Sequence, residues 1–272
     1  MSDASQILVF DRALLRNRRD RAAAAFAAHK ALLEESDALL RERLAGIKED
    51  FHAVLDLGAH DGALARSFAT RGATPVVACD LSEKMLCAAP ADAVLPVAAD
   101  EEFLPFAPGR FDLVISNLSL QWVNDLPGAL LQIKNALKPG GLFLAALAGG
   151  ATLHELRAAL VEGELAATGG ASPRLAPSLA MPAASALLQR AGFALPVVDS
   201  ETVTFAYPDM PALMHDLRGM GATNIHRQRL RYPSRRRIFH EAERIYRARY
   251  ARADGRLPAS FEILFLHGRR PF

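Results

Sequence analysis

Cysteine is scarce: the 272 residues hold only Cys79 and Cys87, and their spacing suggests neither a metal knuckle nor a disulfide framework. That excludes a cystine-stapled secreted scaffold and fits free thiols in a reducing compartment. Long apolar runs are missing too. No stretch approaches the roughly 18 residues needed to cross a bilayer, and "QILVF" near the start is too short for the core of a secretory signal. Neither sign of charge is in excess, since 32 basic residues face 30 acidic ones for a formal net charge of +2. No whole-molecule field therefore steers the protein to nucleic acid. Tryptophan occurs once, and aromatics interleave too sparsely with basic residues to build a base-stacking surface, so no nucleic-acid partner is expected.

What is present describes a globular chain. At 51% hydrophobic it can bury a substantial core, and one elaborated domain is expected. The N-terminal "RALLRNRRDRAAAAFAAHKALL" is basic and helical in the manner of an organelle transit peptide, but Asp3, Asp11 and Asp20 argue against one. Arginine exceeds lysine and alanine is abundant, as in GC-rich bacterial genomes. A cytoplasmic bacterial protein is expected, with peripheral contact to the inner membrane as a further option.

Residues 10 to 46 read as two amphipathic helices, with Leu14, Leu15, Ala22, Phe26, Leu32, Leu33, Leu39 and Leu40 recurring near helical spacing. They form an N-terminal arm, residues 1–47. From there to 272 a single domain is expected, with helical insertions at about 151–180 and 209–258. Its short apolar runs "AVLDLG", "PVVACD", "VLPVAAD", "FDLVISN" and "GLFLAAL" alternate with helical segments, the pattern of βαβ units on a parallel sheet. "LKPGG" at 137–141 is expected to stop a helix and turn into the fifth strand.

The turn in "VLDLGAHDGALAR" carries the first functional signal. Asp56, Gly58 and Gly62 stand where a glycine-rich nucleotide loop would place them, and His60 replaces one glycine. Asp80 ends the second strand, near the spacing at which a carboxylate reaches a ribose diol. Asp100 and Glu101 close the third in a position to read an adenine edge. Any one of these acids alone reads better as a solvated strand end; the ordered set favours an adenosine ligand. A pyrophosphate needs the missing glycine or a Gly-Lys-Ser/Thr loop, so a nucleoside without phosphates, S-adenosylmethionine, fits best.

On "VLDLGAHDG", "ADEEFLPF" and "SNLSLQWVNDLP" the chain resembles the class I S-adenosylmethionine-dependent methyltransferases. It is most similar to the subgroup that holds the mitochondrial complex I assembly factor 5 (arginine hydroxylase) and the malonyl-carrier-protein O-methyltransferases of biotin synthesis. "VFDRALLRNRRDRAA", "GGATLHELRAAL" and "DLRGMGATN" bring it nearer the former. The resemblance implies a seven-stranded, mostly parallel Rossmann-like sheet with an antiparallel last strand. S-adenosyl-L-methionine would be the cofactor and S-adenosyl-L-homocysteine the product. Asp56, Gly58 and Gly62 would frame the methionyl part, Asp80 would hold the ribose with Leu81 beside it, Asp100 and Glu101 would flank adenine, and Asn117 and Leu118 the methyl group. His60 would lie near the ligand's carboxylate, as a polar contact or as filler. The partner implied is a protein or carrier-bound substrate, such as a subunit of the respiratory NADH dehydrogenase.

Methyl transfer from a sulfonium depends mainly on orientation and desolvation, so no dedicated base is required and no catalytic residue is assigned. His60/Asp61 and His154/Glu155 lack a third ligand and read as helix-surface pairs, so no metal is assigned. Hydroxylation would need an oxidant and usually a redox centre, for which the spacing offers no ligand set. Three functions stay open: methyl transfer, arginine hydroxylation, and a chaperone that uses the nucleoside structurally. Substrate contacts are expected over the carboxyl ends of the strands, from Ser119, Gln121, Trp122 and Tyr207, and from Arg218, Asn224 and His226 in the late insertion. That insertion, 214–256, carries twelve arginines against four acids. Its helix "RRRIFHEAERIYRARY" turns Ile238, Phe239, Ala242, Ile245 and Tyr246 to one face, which leaves a basic outer face. Such a face is by default solvated, and its excess would also suit an acidic protein surface or an anionic membrane.

Overall fold

The computed structural model describes residues 8–88, 92–231 and 235–272; Asp3 lies outside them. Seven strands form one sheet: β1 (Val54–Leu57), β2 (Val76–Asp80), β3 (Leu95–Ala98), β4 (Phe111–Asn117), β5 (Leu137–Ala148), β6 (Ala194–Tyr207) and β7 (Leu257–Arg269), in the order β3-β2-β1-β4-β5-β7-β6. The first five are parallel, and β7 runs antiparallel to both β5 and β6. The mostly parallel sheet and antiparallel last strand are as expected. Strand order reverses between β1 and β4, which opens a crevice at their carboxyl ends. β1 and β2 are buried at every residue, as parallel strands covered on both faces must be.

Helices α3 (Ala63–Ala69), α4 (Glu83–Cys87), α5 (Leu126–Ala136) and α7 (Met181–Arg190) cover the sheet. Local chemistry starts them. Ser82 caps α4 by accepting from the Met85 amide, and Asp125 caps α5 with Pro127 in its first turn. Two apolar clusters lie on opposite faces, one around Leu57, Phe143 and Leu266, the other around Val54, Ile115 and Phe265. The expected stop at "LKPGG" is different in detail. β5 already starts at Leu137 and runs through Pro139, with Gly140 at a φ of +78° making a kink inside the strand.

The chain from 10 to 46 folds as α1 (Arg12–Ala22), a 3-10 segment Ala23–Ala28, and α2 (Ala31–Ala45). Asp11 caps α1 by accepting from the Leu14 amide. The late insertion contributes α8 (Met210–Gly219), capped by Asp209, and α9 (Arg236–Tyr250). With α6 (His154–Thr168) these helices build a third apolar cluster around Leu156, Leu213, Tyr246 and Phe261. α6 and α9 cross closely because Gly163 has no side chain: a Cβ there would lie 2.6 Å from the Ala242 nitrogen. Ile238, Ala242 and Tyr246 are buried on the expected face of α9. A short antiparallel ladder ties arm to insertion, with the Asp11 amide donating to the Ile225 carbonyl and the Arg227 amide to the Val9 carbonyl, each at 2.9 Å.

Candidate functional site

The turn after β1 is shaped by close approach. Gly58 has a φ of +73°, and a Cβ on it would sit 2.1 Å from the Ser119 Oγ. Only glycine allows the loop to lie against the end of β4. Gly62, at +71°, opens α3. Asp56 is almost fully buried and accepts from the Ala65 amide in α3 at 3.0 Å. Burial outweighs that bond and pushes its carboxyl up to about 8, so it is protonated at neutral pH.

His60 and Leu118 line the same cavity, and both are non-glycine residues in the left-handed region, with φ of 50° and 48°. Each such residue costs on the order of 1–3 kcal/mol, and strain of this kind collects at ligand sites. The His60 ring is buried and stacks on Phe26 with centroids 5.6 Å apart. Burial, and then Arg19, lower its pKa to about 4. It is therefore neutral at physiological pH. Nε2 lies 3.2 Å from the Asn117 carbonyl and so carries the proton, which leaves Nδ1 an acceptor with no partner. The helix-surface reading of His60/Asp61 does not hold, since both are buried and Asp61 accepts from Lys30 at 3.1 Å. Of the pair His154/Glu155, His154 is exposed, but Glu155 is buried and accepts from the Ser260 hydroxyl at 2.5 Å.

The three strand-end acids are in place, but the arm holds them. Arg19 is only 1% exposed. Its Nη1 donates to both oxygens of Asp80, at 3.0 and 3.2 Å, and its Nη2 to the Ser119 hydroxyl at 2.9 Å. Asp80 also accepts from the His60 amide at 3.0 Å and the Ser82 amide at 2.8 Å. Its roughly four lone-pair positions are thus all used. Arg12 donates to Asp100 at 2.7 Å and to Glu101. Burial favours the neutral acid at Glu101, but Arg12 and Arg19 outweigh it and hold that carboxyl below its usual range. Leu81 packs beside Leu15 and Ile225.

Beside these acids lies an apolar cavity of 120 Å³ walled by Leu33, Leu118, Leu153, Leu217 and Ile263, with Glu262 on its edge. The Asn117 Oδ1 and Gln121 Oε1 are buried without partners. Their amide nitrogens donate to the Leu33 and Leu118 carbonyls, which fixes both orientations. Together with the His60 Nδ1 they make a set of acceptors in want of donors. Trp122 lines this cavity, edge-on to Phe10. Arg218 and Asn224 line an adjoining cleft, with His226 next to it. Two candidates fall elsewhere. Ser119 is buried between Arg19 and Glu101, and the Tyr207 hydroxyl donates to Asp216 at 2.6 Å, away from both cavities.

Sequence reasoning missed Arg12, Arg19, Lys30 and Glu262. For Arg19 a signal existed: it sits with Leu15 and Ala22 on the apolar stripe of α1, where an arginine has to find buried acids. Among the described residues no cluster of three His, Cys, Asp or Glu could hold a metal.

The acceptors suit an adenosine cofactor that takes the place of the arm's arginines: acids at the ends of β2 and β3, held here by Arg12 and Arg19, a glycine turn that admits close approach, and unpaired acceptors at the ends of β1 and β4. A family model described as a methyltransferase domain matches residues 55–145. The mitochondrial arginine-hydroxylase NDUFAF5 of Danio rerio is 38% identical over 97% of this chain and 83% of its own length. A malonyl-[acyl-carrier protein] O-methyltransferase from a Methylovorus species is 33% identical over 97% of this chain and 90% of its own. Haemonchus contortus phosphoethanolamine N-methyltransferase 2, solved with S-adenosylhomocysteine, superposes with a TM-score of 0.59 at 18% identity, covering 95% of this chain and 60% of that one. The chain thus belongs to the class I S-adenosylmethionine-dependent methyltransferase family, with S-adenosylmethionine as its cofactor.

Proposed function

We propose that the protein modifies an arginine side chain of a protein acceptor, as a bacterial relative of the complex I assembly arginine hydroxylases. The observation that carries this is the acceptor-rich, apolar-walled cavity. Among the described residues His60 Nδ1 and Gln121 Oε1, both on its wall, lack donors, and the Glu262 carboxylate beside them accepts from the Ala151 amide alone, while a guanidinium offers five donors on an apolar stem. A malonyl carboxylate offers none, and of the two arginines on the wall Arg19 is held by Asp80 and Ser119 and Arg157 donates to the Ala176 carbonyl. Both relatives match over 97% of this chain, and the higher identity to the arginine hydroxylase, 38% against 33%, supports the same choice.

Asp80 and Leu81 would hold the ribose, Asp100 and Glu101 the adenine side, and Gly58, Gly62, Asp56 and His60 the methionyl end, with Asn117 and Leu118 beside the reacting group. S-adenosylmethionine supplies, when bound, a methyl carbon on a sulfonium, open to in-line displacement. The protein's part is to orient the acceptor and exclude water. His60, as a neutral acceptor, suits the ligand's ammonium better than its carboxylate. Trp122, Arg218 and Asn224 would meet the acceptor; Tyr207 would brace Asp216. The candidate partner is a subunit of the respiratory NADH dehydrogenase, in the cytoplasm or at the face of the inner membrane. Among the described residues no helix is long and apolar enough to cross a membrane.

The test is deletion of the gene followed by mass spectrometry of the NADH dehydrogenase subunits. Loss of one oxygen from an arginine selects hydroxylation, and loss of a methyl group selects transfer. Unchanged masses with failed assembly leave a chaperone. An unaffected dehydrogenase with failed biotin synthesis overturns the proposal in favour of the carrier O-methyltransferase.

A further inference from the structure

Next to the apolar cavity, and sharing Leu175 and Leu217 with it, a second cleft of 260 Å³ runs between α1, α6, α8 and the 172–175 loop. Its floor is apolar, with Leu156, Leu160 and Phe239. Arginines from four separate pieces of chain rim it: Arg18, Arg174, Arg218 and Arg229. Two of these are compensated. Arg174 lies 2.6 Å from the Glu164 carboxylate and Arg229 3.4 Å from Asp11. The other two are not. Arg18 donates to the Asn224 carbonyl at 2.6 Å, and neither it nor Arg218 has a carboxylate within 4.0 Å among the described residues. Burial, then Arg229 and Arg21, lower the proton affinity of Arg18, and the Asp11 carboxylate offsets them only in part. The fold brings cations together here and supplies too few anions.

We infer that this cleft binds the carboxylate side chains of an acidic polypeptide segment flanking the modified residue. The inference rests on the reading of the acceptor as a protein. Arginines from four pieces of chain around an apolar floor suit a strand of alternating acidic and apolar side chains, because charges find partners while the apolar side chains leave water. The shared wall at Leu175 and Leu217 lets a segment seated in the cleft reach the cavity with its central side chain.

The probe is a fluorescent peptide with a central arginine flanked by alternating Glu and Leu, followed by anisotropy on the full-length protein saturated with S-adenosylhomocysteine. A second peptide carries Gln in place of each Glu. The Glu peptide is expected to bind at least about tenfold more tightly than the Gln peptide, the worth of one charge-assisted hydrogen bond. That preference should shrink in Arg218→Glu and in Arg18→Gln, while S-adenosylhomocysteine binds both variants as it does the wild type. Arg218 is exposed and makes no side-chain bond among the described residues, so its reversal leaves folding intact. Equal affinity for the two peptides, or an undiminished preference in both variants, overturns the inference. So does displacement of the peptide by an equal concentration of inorganic phosphate, which marks a small-oxyanion site. Unchanged subunit masses in the deletion strain would sink the functional reading without touching this binding result.

Discussion

Replacing Arg19 by leucine removes the one guanidinium that touches Asp80, Ser119 and, at 3.7 Å, Glu101. All three acceptors are fully buried, so water does not make good the loss. Breaking a buried pair from one side costs about 3–5 kcal/mol, and Arg19→Leu should fall in that range by urea denaturation. The same change frees two lone-pair positions on Asp80, the number a ribose diol needs. S-adenosylhomocysteine should then bind the folded variant more tightly than it binds the wild type. One charge-assisted bond no longer displaced is worth about 1.5–3 kcal/mol, or roughly tenfold to a hundredfold in affinity. Calorimetry at low temperature reads the affinity, and the shift of the urea midpoint with ligand reads it independently. A lower stability with unchanged or weaker affinity would refute the reasoning, because it would mean that Arg19 and the nucleoside do not compete for Asp80.

His60 carries a pH signature. Its folded pKa of about 4 lies below an unfolded value of about 6.5, so its contribution to stability is present above about pH 6.5 and is lost as pH falls towards 4. Stability of wild type minus that of His60→Gln should therefore drop by about 1.4 kcal/mol per pH unit in that window. Asp56, raised to about 8, has the opposite slope, which is common to both proteins and cancels in the difference. Affinity for S-adenosylhomocysteine should stay flat from about pH 6 to about pH 7, below the titration of Asp56, since the ring is neutral throughout; a fall across that range that His60→Gln abolishes would show a cationic contact. Gly58→Ala should abolish nucleoside binding through both its positive φ and the clash with Ser119, and Ser119→Gly should restore part of it. Binding by the single variant equal to wild type would show that the close approach is not needed.

The central sheet was legible because each parallel strand announces itself as a short apolar run closed by a glycine or a polar residue. "VLDLG", "VVACD" and "FDLVISN" need no tertiary information to be recognised. The acids at 80, 100 and 101 were legible for the same reason, since a strand end fixes where a side chain emerges. What occupies those acids was not. Arg12 and Arg19 are two of many arginines in a basic helix, and their role depends on α1 lying across the ends of β2 and β4, a long-range docking that periodicity does not reveal. His60 was visible as an exception, but its tautomer follows from the Asn117 carbonyl 57 residues away. The strand through Pro139 escaped because local turn chemistry argued for a stop, and pairing with β4 and β7 overrode it.

The ladder between residues 9–11 and 225–227 joins the segment that precedes α1 to the segment that carries Asn224 and Arg229. Any movement of α1 that releases Asp80 pulls on the rim of the arginine cleft, and any segment that seats in the cleft pulls on α1. The two ligands are then thermodynamically linked. By reciprocity, the factor by which an acidic peptide changes the affinity for S-adenosylmethionine must equal the factor by which S-adenosylmethionine changes the affinity for the peptide. Cooperativity of this kind needs no contact between cofactor and acceptor. Its sign tells whether the cleft is better formed with the arm seated or withdrawn.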